Sequence, residues 1–148
     1  MEVTTRVLGV NDIGAFIELI RLYDDVFEME NFRIPPKEHL QKILSNDSNI
    51  SIVALMDNKV IGGLSGYILD QYYSEKPLFY LYDLAVAKTH QRKGIGKQLI
   101  NFLLEYCMQK GFEEAYVQAD KVDEHALAFY RGTRMKNEEE VHQFSCFI

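Results

Sequence analysis

Residues 78–87, Leu-Phe-Tyr-Leu-Tyr-Asp-Leu-Ala-Val-Ala, form a nearly unbroken apolar and aromatic run. Three residues separate its end from Gln91-Arg92-Lys93-Gly94-Ile95-Gly96. The run reads as a buried central strand. Beyond the glycines, Ile95, Leu99, Phe102, Leu103, Tyr106 and Cys107 recur at helical spacing, and Gly111 is a natural stop. A strand that turns sharply into a helix directs the unpaired N–H groups and positive dipole end of the helix's first turn at one spot. Gly94 and Gly96 have no Cβ to keep an anion from the backbone, and Arg92, Lys93 and Lys97 add positive charge. The segment is suited to phosphate oxygens. The alternative, on glycines alone, is a permissive turn with solvated basic side chains. The third glycine of a dinucleotide fingerprint is absent, as is the G-x-x-x-x-G-K-[ST] phosphate loop.

The rest of the chain supplies the layers. Residues 4–10 read as a first strand. Asn11 is placed to cap a helix whose apolar face is Ile13, Phe16, Ile17, Ile20, Tyr23 and Phe27. Pro35-Pro36 opens a shorter helix ending near Leu44. Residues 50–56 and 59–69 form a hairpin about Asp57-Asn58, where Gly62-Gly63 predict a bulge or a close backbone approach. Residues 114–119 read as a strand, 123–131 as a helix and 141–147 as a last strand. The order β-α-α-β-β-β-α-β-α-β implies an α/β (α+β) fold: a mixed, mostly antiparallel central sheet with helices on both faces.

The 148 residues suit a single domain, 1–148. A net charge of −6 argues against nucleic acid and is compatible with a small cationic partner. No apolar run reaches the roughly 20 residues that span a bilayer, and the first residues lack a signal-peptide pattern. No membrane partner and a cytoplasmic location are expected. Two cysteines and four histidines without ligand spacing predict no metal. A C-terminal strand offers a means of pairing in a homodimer.

Asp83 stands out within residues 78–87, because a carboxylate in an apolar strand is costly without a reason. Alternation places Tyr80, Tyr82 and Leu84 on one face and Leu81, Asp83 and Ala85 on the other. Asp83 is either functional or the partner of a structural arginine or loop. Tyr72, Tyr73 and Tyr82 are weaker candidates for lining a slot, since aromatic stripes more often belong to a core.

Leu84-Ala85-Val86, then Gln91-x-x-Gly94-x-Gly96, then Ala126-x-x-Phe129-Tyr130 resembles the GNAT superfamily of N-acetyltransferases. The resemblance implies that Gln91, Arg92, Lys93, Gly94, Ile95, Gly96 and Lys97 hold the pyrophosphate of acetyl-CoA. It implies that the backbone of Leu84, Ala85 and Val86 meets the pantetheine arm and thioester. Tyr130 then stands near the thiol, to protonate the leaving thiolate or simply as a core aromatic. A bulky residue such as Val at Gly94 or Gly96 is expected to exclude the phosphate oxygens.

Tyr82-Asp83-Leu84-Ala85-Val86, Tyr116-Val117-Gln118-Ala119-Asp120, Ala128-Phe129-Tyr130 and the later Glu-Glu-Val and His-Gln-Phe runs are similar to the GNAT-type aminoglycoside 3-N-acetyltransferases. That likeness implies an amine acceptor, Asp83 as the base that neutralises it, and Tyr82, Asp83, Asp120, Glu124 and Glu139 as acceptor-binding residues. For Asp120, Glu124 and Glu139 the competing role is a solvated helix start or turn. The sequence departs from the pattern at Arg134-Met135, where a glycine and an aromatic are usual, so the segment after Tyr130 is expected to be rebuilt. Another amine (a polyamine, an amino acid or a protein N-terminus) or CoA binding without catalysis are the other readings.

Overall fold

The computed structural model describes residues 2–148. In chain order the elements are β1 (Thr4–Val7), α1 (Ile13–Phe27), α2 (Lys37–Leu44), β2 (Asn49–Met56), β3 (Lys59–Leu69), β4 (Leu78–Val86), α3 (Ile95–Gln109), β5 (Glu114–Val117) and α4 (Glu124–Arg131). Of the described residues, those up to 118 form one compact unit and 119–148 a second.

The first unit is a five-stranded sheet in the order β1-β2-β3-β4-β5. The first three pairings are antiparallel and β4–β5 is parallel, so the mixed, mostly antiparallel sheet is borne out. Neighbouring glycines in β3 show the layering. A Cβ on Gly62 would meet Ile95 of α3 at 3.4 Å, while one on Gly63 would meet Leu19 of α1 at 2.5 Å. Consecutive strand residues point to opposite faces, so α1 and α3 cover opposite sides of the sheet. On the α1 side Phe16, Leu19, Tyr23 and Leu40 pack on Val53 and Ala85. The α3 helix buries Ile95, Leu99, Ile100, Leu103 and Cys107.

The Gly62-Gly63 expectation holds in both its forms. Ala54 pairs with Gly62 and Leu55 with Val60, leaving Ile61 as an extra residue, and Gly63 lets α1 lie against the sheet. Two expectations need correction. Asp12, not Asn11, occupies the position before α1, and its carboxylate accepts the Gly9 N–H at 2.6 Å and pairs with Arg6 at 3.0 Å. Residues 141–147 form no strand, and Val141, Phe144 and Phe147 are exposed. A strand needs a ladder partner as well as a suitable pattern, and none of the five strands pairs with this segment.

In the second unit, Asp123 caps α4 by accepting the Ala126 N–H at 3.0 Å. Arg131 grips Glu138 through two bonds of 2.8 and 2.7 Å, and Thr133 is buried against the Tyr130 carbonyl.

Candidate active site

The site is built on an irregularity in β4. Ser65 of β3 pairs with Asp83 and Gly66 pairs with Leu81, so Tyr82 is an extra residue that opposes nothing. A bulge resets the phase of a strand. Before it, Phe79 and Leu81 are buried on the α3 face; after it, Asp83 and Ala85 lie opposite Ser65 and Gly63 on the α1 face. The simple alternation expected from the sequence is therefore wrong. Asp83 does not share a face with Leu81, and Tyr82 and Asp83 open together into one cavity.

That cavity has a volume of about 260 Å³. The sheet forms its floor through Ser51, Ser65 and Asp83. Phe16, Ile20 and Tyr23 of α1, Leu40 of α2 and the intervening loop residues Met29 and Phe32 form its walls. The wall is apolar and the floor is not. Ser65 Oγ lies 2.9 Å from Tyr23 Oη and 2.8 Å from Ser51 Oγ, so three hydroxyls form one chain. Among the described residues Asp83 is the one carboxylate in the lining, and no lysine, arginine or histidine joins it there. Burial raises its pKa above the ordinary carboxylate value. The surroundings favour a positive charge beside Asp83 and supply none.

An aromatic row leads away from the cavity on the same face. Tyr67 and Tyr80 each meet the Tyr82 ring edge-on at 5.7 Å, and Tyr80 stacks on Tyr116 at 4.8 Å. Tyr80 also donates to Gln118 Oε1 at 2.8 Å. Tyr72 and Tyr73 lie against one another with their rings tilted by 41°, highly exposed, and do not line the cavity.

The β4–β5 ladder covers only Leu78–Leu81 against Glu114–Val117. From Tyr82 to Val86, β4 runs on with β3 on one side and no strand on the other. Leu84, Ala85 and Val86 lie on this open stretch. The Gln91 side chain returns to it, donating to the Val86 carbonyl at 3.0 Å, and so ties the following loop to the strand end. Arg92 and Gly94 both take positive φ, 62° and 81°, and α3 starts at Ile95 with Gly94 in the capping position. The loop thus turns back on itself and presents the first turn of α3. Arg92, Lys93 and Lys97 are exposed around it. The open strand edge, helix start and cationic rim fit the elongated, phosphate-bearing shape of CoA.

The other sequence candidates lie in the second unit. Tyr130 is half-buried, its ring edge-on to Phe129 at 5.0 Å. Asp120 accepts the Val122 N–H at 3.1 Å in a local turn, and Glu124 and Glu139 are exposed. Sequence reasoning missed Tyr23, Ser51, Ser65 and the loop residues over the cavity. The only signal for Tyr23 was its place on the apolar face of α1.

Comparison with known proteins bears on the fold and the family. Residues 16–133 match the acetyltransferase (GNAT) family model. The aminoglycoside acetyltransferase meta-AAC0020 from an uncultured soil metagenomic sample, solved with trehalose, is 53% identical, with a TM-score of 0.96 over 99% of this chain and 96% of that one. The same protein has been solved with sisomicin. A second aminoglycoside acetyltransferase from an uncultured soil metagenomic sample, HMB0005, is 30% identical over 100% of this chain and 99% of its own, with a TM-score of 0.84. Mouse N-acetyltransferase family 8 member 3 is 27% identical over 60% of this chain, but the match spans only 39% of that relative. The match to the family model covers most of the chain and the likeness to the solved acetyltransferases nearly all of it: the chain belongs to the acetyltransferase (GNAT) family.

Proposed function

We propose that this protein transfers the acetyl group of acetyl-CoA to a primary amine of an aminoglycoside, at a 3-amino position, in the cytoplasm. The observation that carries the reading is Asp83: a half-buried carboxylate, unneutralised by any lining cation, in a cavity of apolar walls and hydroxyl floor. The names of the 53% and 30% identical structures support the acceptor class.

Acetyl-CoA supplies an activated thioester carbonyl. The residues proposed to hold it are the backbone of Leu84, Ala85 and Val86 and the loop from Gln91 to Lys97. An alkylamine arrives protonated at neutral pH and is not a nucleophile in that form. Asp83 holds the ammonium and accepts its proton, and its raised pKa reduces the mismatch between the two groups. Tyr82, beside it at the bulge, is placed to bound the acceptor. Tyr130 is proposed as the proton donor to the departing thiolate, on the strength of its position in the Ala126-x-x-Phe129-Tyr130 motif. Asp120, Glu124 and Glu139 are proposed as further contacts for a polycation.

The test is thiol release from acetyl-CoA with a panel of aminoglycosides, with spermidine and short peptides alongside. Release with aminoglycosides is expected, and its absence across the panel would sink the acceptor assignment. Asp83→Asn should lower kcat by roughly 100-fold or more and leave acetyl-CoA affinity unchanged. Full turnover in that variant would remove Asp83 from the mechanism, and an equal loss of acetyl-CoA binding would make its role structural.

A further inference from the structure

The cavity floor holds more polar chemistry than an amine requires. Tyr23, Ser51 and Ser65 come from α1, β2 and β3, and their hydroxyls meet beneath the walls formed by Phe16, Ile20 and Leu40. Tyr23 and Ser51 are 5 and 8% exposed, whereas Ser65 is half-buried and lines the cavity. Apolar side chains of similar volume would pack here, and hydroxyls taken out of water cost stability unless they are bonded. The cost is offset within the group, since Ser65 Oγ lies 2.9 Å from Tyr23 Oη and 2.8 Å from Ser51 Oγ.

Ser65 is the middle member of this chain. A hydroxyl has room for three hydrogen bonds, one given and two accepted. Tyr23 and Ser51 take two of these at Ser65 and fix its oxygen in the floor, and the third is available to a group inside the cavity. Ser65 is also the register partner of Asp83, on the same face of the sheet. The Cβ atoms of such a pair stand about 5 Å apart. Among the described residues no hydrogen bond joins the two side chains, and burial alone shifts the Asp83 carboxyl. A ligand that sets an ammonium on Asp83 therefore brings its next carbon atoms over a neutral, pre-positioned hydroxyl. An amine with a hydroxyl on the adjoining carbon satisfies both groups. A plain alkyl polyamine satisfies Asp83 and turns methylenes toward Ser65.

We propose that Ser65, held by Tyr23 and Ser51, selects acceptors that carry a hydroxyl beside the amine: aminocyclitols and amino sugars in preference to alkyl polyamines. The inference rests on the cavity being the acceptor site, as proposed above. Ser65 exchanges no proton with the reacting amine. Its bond to the neighbouring hydroxyl is the same before and during acetyl transfer, so it acts on KM and not on kcat.

The test is thiol release from acetyl-CoA with two acceptors of one ring and two amines: an aminocyclitol diamine and the cyclohexane diamine that lacks its hydroxyls. The parent should favour the aminocyclitol in kcat/KM. Ser65→Ala should narrow that preference by about tenfold, the worth of one hydrogen bond, through KM. That substitution also deprives Tyr23 and Ser51 of a partner. The triple variant Tyr23→Phe, Ser51→Ala, Ser65→Ala removes the chain without orphaning a hydroxyl, and should narrow the preference to the same degree with the circular dichroism of the fold retained. A merely structural chain would lower turnover of both acceptors together. A parent without preference, a preference unchanged in whichever variant folds, or an equal loss with both acceptors overturns the role of Ser65 and leaves acetyl transfer at this site standing. Failure of the parent to acetylate either acceptor or any aminoglycoside overturns the proposed function, and this inference with it.

Discussion

Two aspartates in this protein respond to pH in opposite directions. Burial raises the Asp83 pKa above 3.8, so the folded protein binds that proton more tightly than the unfolded chain. The associated stability is present at low pH and is lost as pH rises through the raised value. Asp83→Asn keeps the shape and removes the charge. It should therefore melt at a higher temperature than the parent at neutral pH, with the gap closing in acid; a lower melting temperature at pH 7 would mean an unrecognised cationic partner. Asp12 is the reverse case. The Arg6 side-chain hydrogen bonds and then the Gly9 N–H hold its pKa below 3.8, so its contribution exists above that value and fades as pH falls through the lowered one. Asp12→Ala should cost about 1 kcal/mol in urea unfolding at pH 7, chiefly through Gly9, since solvent screens the half-exposed Arg6. An equal cost at pH 2 would rule out this account. Asp83 was visible in the sequence because one carboxylate interrupts an apolar strand. Tyr23 and Ser51 were not, because they stand 42 and 14 residues from Ser65 and only the strand register and the α1 packing bring the three hydroxyls together.

At the level of elements, glycines decide where strands break phase and where the loop turns. A Cβ on Gly66 would collide with the Tyr80 carbonyl oxygen and come within 2.6 Å of the Phe79 ring, both part of β4 just before the bulge. Neither backbone nor buried ring yields easily, so Gly66→Ala should destabilise by about 1–3 kcal/mol and lower kcat by disturbing Tyr82 and Asp83. Gly62→Ala, whose nearest clash is the Ala85 carbonyl at 3.2 Å, should cost less, and chemical denaturation of the two variants tests that order. Gly94 behaves differently. Its Cβ would meet no protein atom within 4 Å, but its φ of 81° is unfavourable for any side chain. Gly94→Ala should thus cost the fold only about 1 kcal/mol of torsional strain, while calorimetry should show weaker CoA binding because the first turn of α3 is re-aimed. Unchanged affinity would remove the loop from the binding site. The hairpin bulge was legible because Gly62-Gly63 announce it. The β4 bulge was not, since Leu-Tyr-Asp contains no glycine or proline, and strict alternation carried across it puts Asp83 on the face of Leu81. The tail was misread for the converse reason: it has strand character, but pairing is a property of the ladder and not of the segment.

For the molecule as a whole, charge is distributed in a way that suits two substrates of opposite sign. The chain carries −6 overall, yet Arg92, Lys93 and Lys97 gather at the start of α3, while the cavity holds Asp83 and no cation. The layered sheet was legible from the order of strands and helices, and the loop from its glycines. The cavity was not, because it exists only once α1, α2 and the segment between them close over the floor that the bulge creates. Its opening lies in a negatively charged protein, so a polycationic acceptor should be drawn in more strongly than a monocationic one. Screening contracts from about 10 Å at 0.1 M salt to about 3 Å at 1 M and suppresses the part of the attraction that acts beyond contact. The KM of a polyamine acceptor should therefore rise by about threefold or more across that range, and that of a single-charge amine by less. In Asp83→Asn, where turnover is too slow for a reliable KM, the same comparison can be made by calorimetric Kd. The salt dependence should persist there at reduced slope, because the remaining acidic surface still acts at a distance. Equal salt dependence for both acceptors would show that the whole-chain charge plays no part, leaving recognition to Asp83 and the walls around it.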